Sequence, residues 1–307
     1  MSLGFVFPGQ GSQAVGMLAD VAGEFPQVQQ HFEEAGEAIS RPLWRIVTEG
    51  PDDELIRTEI TQPAILTASV ALWAIWQAEG GATPTAVAGH SLGEYSALVC
   101  AGALPFADAV RLVHRRGQLM QEAVPQGEGA MAAILGLDDE QVEAACAGVD
   151  GVVSAANYNA PGQVAIAGTA AAVEAAAARC RELGARRAAM LPVSGPFHCA
   201  LMRPAQEAFA ADLDGAPLQL PSIPVVQNVD AAVAGDVDAL RRKLLEQISS
   251  PVLWTACVRA MADQGVTRMV ECGPGRVLGG LIKRIDKSLD TAALGTLDGL
   301  RSALQGE

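Results

Sequence analysis

A serine flanked by two glycines is the residue of this chain whose setting most clearly indicates chemistry. Ser91 occupies the pattern Gly-x-Ser-x-Gly, between an apolar strand-like stretch and a helix-like one. Gly89 and Gly93 have no Cβ atom, so they permit a sharp strand-to-helix turn that exposes the serine hydroxyl. The amide of Leu92 is then a natural donor to an oxyanion. The pattern predicts a nucleophile elbow, with an ordinary strand-to-helix connection as the alternative.

A serine hydroxyl needs a base within hydrogen-bond reach, and histidine is the usual one. The chain has four histidines. His31 and His114 fall on polar helix faces and are expected to be solvated, and the His90 ring is expected to diverge from Ser91. His198 remains, at the turn where a predicted small domain returns to a large one. The surrounding sequence fits two roles for His198 equally well. One is a catalytic base, and the other is a histidine at a helix start that makes a hydrogen bond in the core.

No acidic residue is evidently placed to complete a Ser-His-Asp triad, and a backbone or amide carbonyl can also orient an imidazole. The aspartates left open for this position are Asp138, Asp139, Asp150, Asp212 and Asp230.

An arginine interrupts the apolar face of the helix predicted over 106–122. The apolar arc of this helix is formed by Phe106, Ala109, Val110, Leu112, Val113, Leu119 and Met120. Arg116 falls in the middle of the arc. A buried guanidinium must be paired, either with a structural carboxylate or carbonyl row, or with a carboxylate of a substrate that its planar fork recognises.

Composition bounds the class of protein. The chain has 307 residues, half of them apolar, and a formal net charge of −14, which is unsuited to a general nucleic-acid surface. Its six cysteines form no Cys-x-x-Cys pair and no metal-binding spacing, and are typical of reduced core thiols. No leader and no membrane span is predicted. These features predict a cytoplasmic enzyme-sized protein without a metal ion, a nucleic-acid partner or a membrane anchor.

Strands that alternate with helices predict an α/β protein with a parallel sheet. Outside the segment 127–195, the predicted strands are 3–7, 85–89, 223–226 and 267–272. The predicted helices are 25–38, 62–79, the stretch from the elbow to about Cys100, 106–122, 200–213, 237–248, 254–264 and one after Gly273-Pro-Gly275.

The segment after Gly129 changes character. It predicts a β-α-β-β-α-β order, with strands at 130–136, 152–157, 164–168 and 186–191 and helices at 138–147 and 170–183. This order is the ferredoxin-like arrangement, and Ala160-Pro-Gly-Gln163 suits a type II turn between the middle strands. We therefore expect a small ferredoxin-like domain over 127–195, inserted into a discontinuous large domain over 1–126 and 196–307.

Several motifs in this order resemble a known family, the malonyl-CoA:acyl carrier protein transacylases, in the free-standing bacterial form of type II fatty acid synthesis. The similarity runs nearly end to end. The matching motifs are Phe7-Pro-Gly-Gln-Gly-Ser-Gln13, Gln62-Pro63, Gly89-His-Ser-Leu-Gly93, Arg116, Asn157-Tyr-Asn-Ala-Pro-Gly-Gln163, Pro196-Phe-His198 and Gly273-Pro-Gly275.

The resemblance implies an α/β-hydrolase-like large domain with a ferredoxin-like insert. It implies ping-pong transfer of malonyl from coenzyme A to the phosphopantetheine thiol of acyl carrier protein, with malonyl-CoA as substrate and no permanently bound cofactor. By the same resemblance, Ser91 is the nucleophile, His198 its base and later acid, and Arg116 the partner of the malonyl carboxylate.

The resemblance also implies supporting roles. Gln10 and Leu92 correspond to backbone oxyanion donors, and the main-chain carbonyl of Gln247 corresponds to the group that holds the histidine ring. Gln62 corresponds to a residue lining the acyl pocket. Phe197, before the histidine, is typical of malonyl-selective members, because a bulky ring leaves less room for an α-methyl group.

Docking of the carrier is a separate expectation, since carriers are typically acidic and this chain is acidic too. Local basic residues must overcome that repulsion, and the candidates are Arg186, Arg187, Lys283 and Arg284. Three rival functions stay open: a serine thioesterase or hydrolase, a malonyl-transferring subunit of a malonate decarboxylase, and a noncatalytic carrier-binding subunit.

Overall fold

The computed structural model describes residues 2–306, which contain one parallel and one antiparallel sheet. The strands, in chain order, are β1 (Leu3–Phe7), β2 (Ala86–Gly89), β3 (Gly129–Leu135), β4 (Val153–Ala160), β5 (Gln163–Thr169), β6 (Arg187–Met190), β7 (Val225–Val226), β8 (Arg268–Glu271) and β9 (Asp290–Ala293).

The helices, in chain order, are α1 (Ala19–Glu24), α2 (Gln27–Ile39), α3 (Leu43–Glu49), α4 (Asp52–Leu55), α5 (Thr58–Ala78), α6 (Gly93–Cys100), α7 (Phe106–Glu122), α8 (Asp139–Ala147), α9 (Ala170–Glu182), α10 (Arg203–Asp214), α11 (Val237–Glu246), α12 (Trp254–Asp263), α13 (Leu278–Ile285) and α14 (Leu297–Gln305). Among residues 2–306, no helix combines the length and the apolar character needed to cross a membrane.

The parallel sheet has the strand order β7-β2-β1-β8-β9. Its central strands are almost wholly buried, as expected for a parallel sheet covered on both faces. Helix α5 is apolar on nearly all sides and packs against α2, α6 and α7 in the main core. The carboxyl ends of β1 and β2 lead into the loop at Gln10 and the turn at Ser91, which places both residues at one edge of the sheet.

The antiparallel sheet has the strand order β4-β5-β3-β6, and helices α8 and α9 pack on it around a separate apolar cluster. The turn between β4 and β5 places Gly162 at φ 72°. A type II turn requires such a positive φ at its third residue, as the Pro-Gly pair predicts.

The element order predicted from sequence is observed, with differences at boundaries and edges. Helix α5 begins at Thr58 and not at 62, because a proline such as Pro63 suggests a helix start even where packing extends the helix upstream. The strand predicted over 223–226 shortens to two residues. Edge strand β9 has no apolar run and is not predicted by the pattern. The helices α1, α3, α4 and α14 are not predicted either.

Candidate active site

Ser91 sits on a strained turn between β2 and α6. Its φ is 50°, in the left-handed region that side chains other than glycine rarely adopt. A Cβ atom on Gly89 would lie 1.8 Å from the carbonyl carbon of Gly93, and one on Gly93 would lie 2.1 Å from the carbonyl oxygen of Phe7. Both positions therefore require glycine for the turn to form.

His198 stands between Ser91 and a backbone carbonyl. Its Nε2 lies 2.6 Å from Ser91 Oγ, and its Nδ1 lies 2.8 Å from the main-chain oxygen of Gln247. A carbonyl oxygen can only accept, so Nδ1 carries the proton and Nε2 is left to accept from the serine hydroxyl. Burial, followed by the charge of Arg116, lowers the pKa of His198 to about 3. The ring is therefore neutral at pH 7 and able to take a proton.

Three of the five aspartates considered for a triad have other partners. Asp138 caps α8, Asp212 pairs with Arg115, and Asp230 pairs with Lys243. The Gln247 carbonyl occupies the position that an acid would take beside the imidazole.

The remaining histidines are less exposed than their positions predict. His31 and His114 are half-buried, and the Nδ1 of each lies 2.7 Å from a backbone carbonyl oxygen. The expectation that both are solvated is met only in part, because each ring is half-covered and one of its nitrogens bonds a backbone carbonyl. His90 does diverge from Ser91: its Nε2 lies 2.8 Å from Asn159 Oδ1.

Arg116 is buried on α7, with 1% of its surface exposed. Its Nη1 donates to Gln62 Oε1 at 2.9 Å, its Nη2 donates to Gln247 Oε1 at 2.8 Å, and Nη2 also lies 3.4 Å from Ser91 Oγ. The guanidinium lies 5.5 Å from the centre of the Tyr95 ring. Among residues 2–306, no carboxylate forms an ion pair with it. The charge is buried against neutral partners and faces a cavity.

That cavity has a volume of about 330 Å³ and is lined from both sheets. It brings together most of the site residues predicted from sequence, namely Gln10, Gln62, Ser91, Leu92, Arg116, Phe197 and His198. Gln247 does not line the cavity, but it contacts two of these residues: its side chain accepts from Arg116 and its main-chain oxygen accepts from His198. The amides of Gln10 and Leu92 donate to no acceptor in the described part of the chain, residues 2–306, and so remain available to an oxyanion.

Three polar residues that support the turn are missed by the sequence reasoning. Asn228 accepts from the Ser91 amide through Oδ1 at 2.8 Å and donates through Nδ2 to the Gly89 carbonyl at 2.7 Å. Gln227 and Glu94 pack beside it and are completely buried. The available signal is position, because Gln227 and Asn228 directly follow a parallel strand and Glu94 lies in the first turn of the elbow helix.

The basic residues considered for docking are exposed on two elements. Arg186 and Arg187 lie at the start of β6, and Lys283 and Arg284 lie in the last turn of α13. Arg284 Nη1 donates to Gln163 Oε1 at 2.8 Å, and Gln163 lines the cavity. The basic end of α13 therefore borders the cavity, and within residues 2–306 the β6 pair makes no comparable hydrogen bond to a residue that lines it.

Comparison with known proteins identifies the class of protein to which the chain belongs. The model of the acyl transferase domain family matches residues 4–297, and the serine, histidine and free amides of the cavity suit such chemistry. The malonyl CoA-acyl carrier protein transacylase of Escherichia coli (strain K12) is 54% identical over 98% of both chains. That of Bacillus subtilis (strain 168) is 45% identical over 99% of this chain and 96% of its own.

Solved structures agree. An acyl carrier protein S-malonyltransferase from Vibrio cholerae superposes with a TM-score of 0.96 at 51% identity, covering 99% of this chain and 100% of its own. A malonyl-transacylase in complex with its type II PKS acyl-carrier protein superposes with a TM-score of 0.98 at 50% identity, covering 100% of both chains. The chain belongs to the malonyl CoA-acyl carrier protein transacylases, as its motifs predict.

Proposed function

We propose that the protein transfers malonyl from malonyl-CoA to the phosphopantetheine thiol of an acyl carrier protein through an ester on Ser91. The observation that carries this proposal is one cavity in which Ser91 Oγ lies 2.6 Å from His198 Nε2 and 3.4 Å from the buried guanidinium of Arg116. The pair supplies an activated nucleophile, and the guanidinium supplies a partner for the free carboxylate of malonyl.

The first half of the reaction acylates the enzyme. His198 Nε2 takes the hydroxyl proton while Ser91 Oγ attacks the thioester carbonyl, whose oxygen becomes an oxyanion held by the amides of Gln10 and Leu92. Collapse of the intermediate breaks the carbon–sulfur bond, and His198 returns its proton to the departing thiolate of coenzyme A. The Gln247 carbonyl keeps Nδ1–H in place, so Nε2 always faces the reacting atoms.

In the second half of the reaction, Ser91 changes from the acceptor of the malonyl group to its donor, and the carrier thiol is the acceptor. The carrier thiol gives its proton to His198 Nε2, and the thiolate attacks the ester carbonyl. The carbon–oxygen bond to Ser91 then breaks and Oγ recovers the proton. No cofactor enters this scheme. Among residues 2–306, no group of three or more His, Cys, Asp and Glu side chains is placed to hold a metal ion.

Phe197 is proposed to restrict the acyl group. Its side chain is 7% exposed and forms part of the cavity wall with Met120 and Met131. A branched methylmalonyl group must displace some of this wall. One methyl group of discrimination is worth about 1–3 kcal/mol, so the wall favours malonyl without strictly excluding the larger group.

We further propose that the chain has a small ferredoxin-like domain inserted into a large α/β-hydrolase-like domain. Numbered along the segment 127–195, the strands of the antiparallel sheet lie side by side in the order second, third, first, fourth. Helices α8 and α9 pack on this sheet. Both features support a ferredoxin-like domain. Segments 1–126 and 196–307 then form the α/β-hydrolase-like large domain. Six buried free cysteines support a reducing, cytoplasmic location.

The acceptor preference tests the function. We expect malonyl-CoA alone to release about one equivalent of coenzyme A per chain and then stop, because the ester lacks a thiol acceptor. Addition of holo acyl carrier protein should discharge the ester onto the carrier. Continuous release of free malonate at a rate unaffected by the carrier would instead identify a hydrolase.

Docking of an acidic carrier beside α13 is proposed for Lys283 and Arg284, with Arg186 and Arg187 as further candidates. We expect charge reversal at Lys283 and Arg284 to raise the apparent KM for the carrier and flatten its salt dependence, while acylation by malonyl-CoA is unchanged. Reversal of Arg301, an exposed basic residue on α14, is the matched control. Equal carrier kinetics at low salt would remove this surface from the account.

A further inference from the structure

We propose that Glu94 is a positioning residue of the acyl cavity, whose buried carboxylate acts through the Gln247 amide to balance Arg116 and to limit how tightly Arg116 holds a carboxylated acyl group. The inference rests on the proposed contact between Arg116 and malonyl. It assigns a role to a residue that touches neither substrate nor the reacting atoms.

The contacts of Glu94 are those of an ionised carboxylate. Its Oε1 accepts from Gln227 Nε2 at 3.2 Å, and its Oε2 accepts from the Asn228 amide at 2.9 Å and from Gln247 Nε2 at 3.1 Å. All of these partners donate, and the residue lies in the first turn of α6, where the helix dipole favours an anion. Burial raises the pKa of Glu94 to about 7, while these donors and Arg116 oppose the shift. Together with the donor contacts, this makes the side chain mainly ionised at pH 8.

One amide group separates this anion from the buried cation. Gln247 accepts from Arg116 Nη2 through Oε1 at 2.8 Å and donates to Glu94 through Nε2. A direct ion pair would occupy the guanidinium fork. The intervening amide leaves Arg116 open to the cavity, while the two opposite charges still attract each other across it.

The negative charge of Glu94 has an expected effect on malonyl binding that a purely structural residue would not have. Glu94 and Arg116 together carry no net charge, and a bound malonyl carboxylate makes the group negative. Glu94 therefore repels the carboxylate that Arg116 attracts. This repulsion is useful, because an acyl group held equally tightly before and during transfer gains no rate, and an over-stabilised ester discharges slowly.

The test is Glu94→Gln in the full chain, with acylation of Ser91 measured at pH 8 without the carrier. We expect the half-saturating concentration of malonyl-CoA to fall at least about threefold while that of acetyl-CoA is unchanged, since only the malonyl group has a free carboxylate. The substitution keeps the shape of the side chain. Within residues 2–306 the buried Gln227 Oε1 has no hydrogen-bond partner, and it can accept from the new amide if the Gln227 side chain flips.

Glu271→Gln is the matched control. Glu271 is also buried, with 1% of its surface exposed, and accepts three backbone N–H groups, from Val277, Leu278 and Gly279, but within residues 2–306 it forms no hydrogen bond with Gln247. Its neutralisation should leave the ratio of the two half-saturating concentrations unchanged. Should Glu94→Gln fold poorly, Glu94→Leu removes the same charge with a similar volume, and the same sign is expected.

A higher half-saturating concentration of malonyl-CoA, or a parallel change for both thioesters, would overturn the proposal and leave Glu94 a packing residue. Failure of the proposed function has a different signature, since wild-type protein would then form no ester on Ser91.

Discussion

His198→Ala is expected to slow acylation by malonyl-CoA about 10³-fold, and to slow discharge onto the carrier by a similar factor. A positioned general base typically contributes 10²–10⁴-fold, and one imidazole serves both half-reactions here. The free Nε2 is the only group that the structure places within 2.6 Å of Ser91 Oγ in the described chain. Single-turnover measurements of each half-reaction, made by rapid quench, report the two rates separately.

The control for this variant is His31→Ala. His31 is half-buried and also bonds a backbone carbonyl through Nδ1, but it lies outside the cavity lining. Its removal changes packing without changing the chemistry, so both rates should remain near wild type. A normal acylation rate in His198→Ala would exclude this ring as the base, and loss of only one half-reaction would require a second base.

Arg116→Ala should lower kcat/KM for malonyl transfer by about thirtyfold or more. Truncation of one member of a buried charged pair costs roughly 2–5 kcal/mol. Acetyl-CoA has no carboxylate to lose, so its transfer should fall much less or improve. The specificity of the enzyme should therefore shift toward acetyl, which is measured by parallel assays of the two thioesters.

Arg116→Lys refines the same prediction. A lysine keeps the charge but cannot reproduce the planar fork that donates to Gln62 and Gln247, so only part of malonyl transfer should return. Arg111→Ala on the exposed face of the same helix, where the residue pairs with Asp108, is the matched control and should leave the specificity unchanged. A parallel loss of acetyl and malonyl transfer, together with a lower Tm, would make Arg116 a structural residue.

The parts of the site that could be predicted are those encoded by local pattern. The elbow follows from two glycines around Ser91, and the buried place of Arg116 follows from helical periodicity over 106–122. The order of elements in the small sheet follows from alternating strand and helix patterns. Each of these sequence patterns is contained in one or two neighbouring helices or strands, so no contact between distant parts of the chain is needed to recognise it.

The supporting polar residues could not be predicted, because tertiary packing brings them from distant parts of the chain. Asn228 bonds the Ser91 amide across 137 residues, and the Gln247 side chain bonds the Ser91 carbonyl across 156. The local signal for Asn228 is its position directly after a parallel strand, and nothing local distinguishes the Gln247 amide from a solvated one. The Gln247 carbonyl was predicted through the family resemblance alone, and the role of its side chain between Arg116 and Glu94 emerges only from the contacts.

The most direct test of the central claim is to locate the acyl group. The protein is incubated with malonyl-CoA without carrier, quenched in acid, digested and mapped by mass spectrometry, with Ser91→Ala treated identically. We expect one malonyl ester on Ser91 in the wild-type protein and none in the variant, because the elbow holds the activated hydroxyl. A malonyl group on Cys100 or Cys199, or an ester that persists in Ser91→Ala, would contradict it.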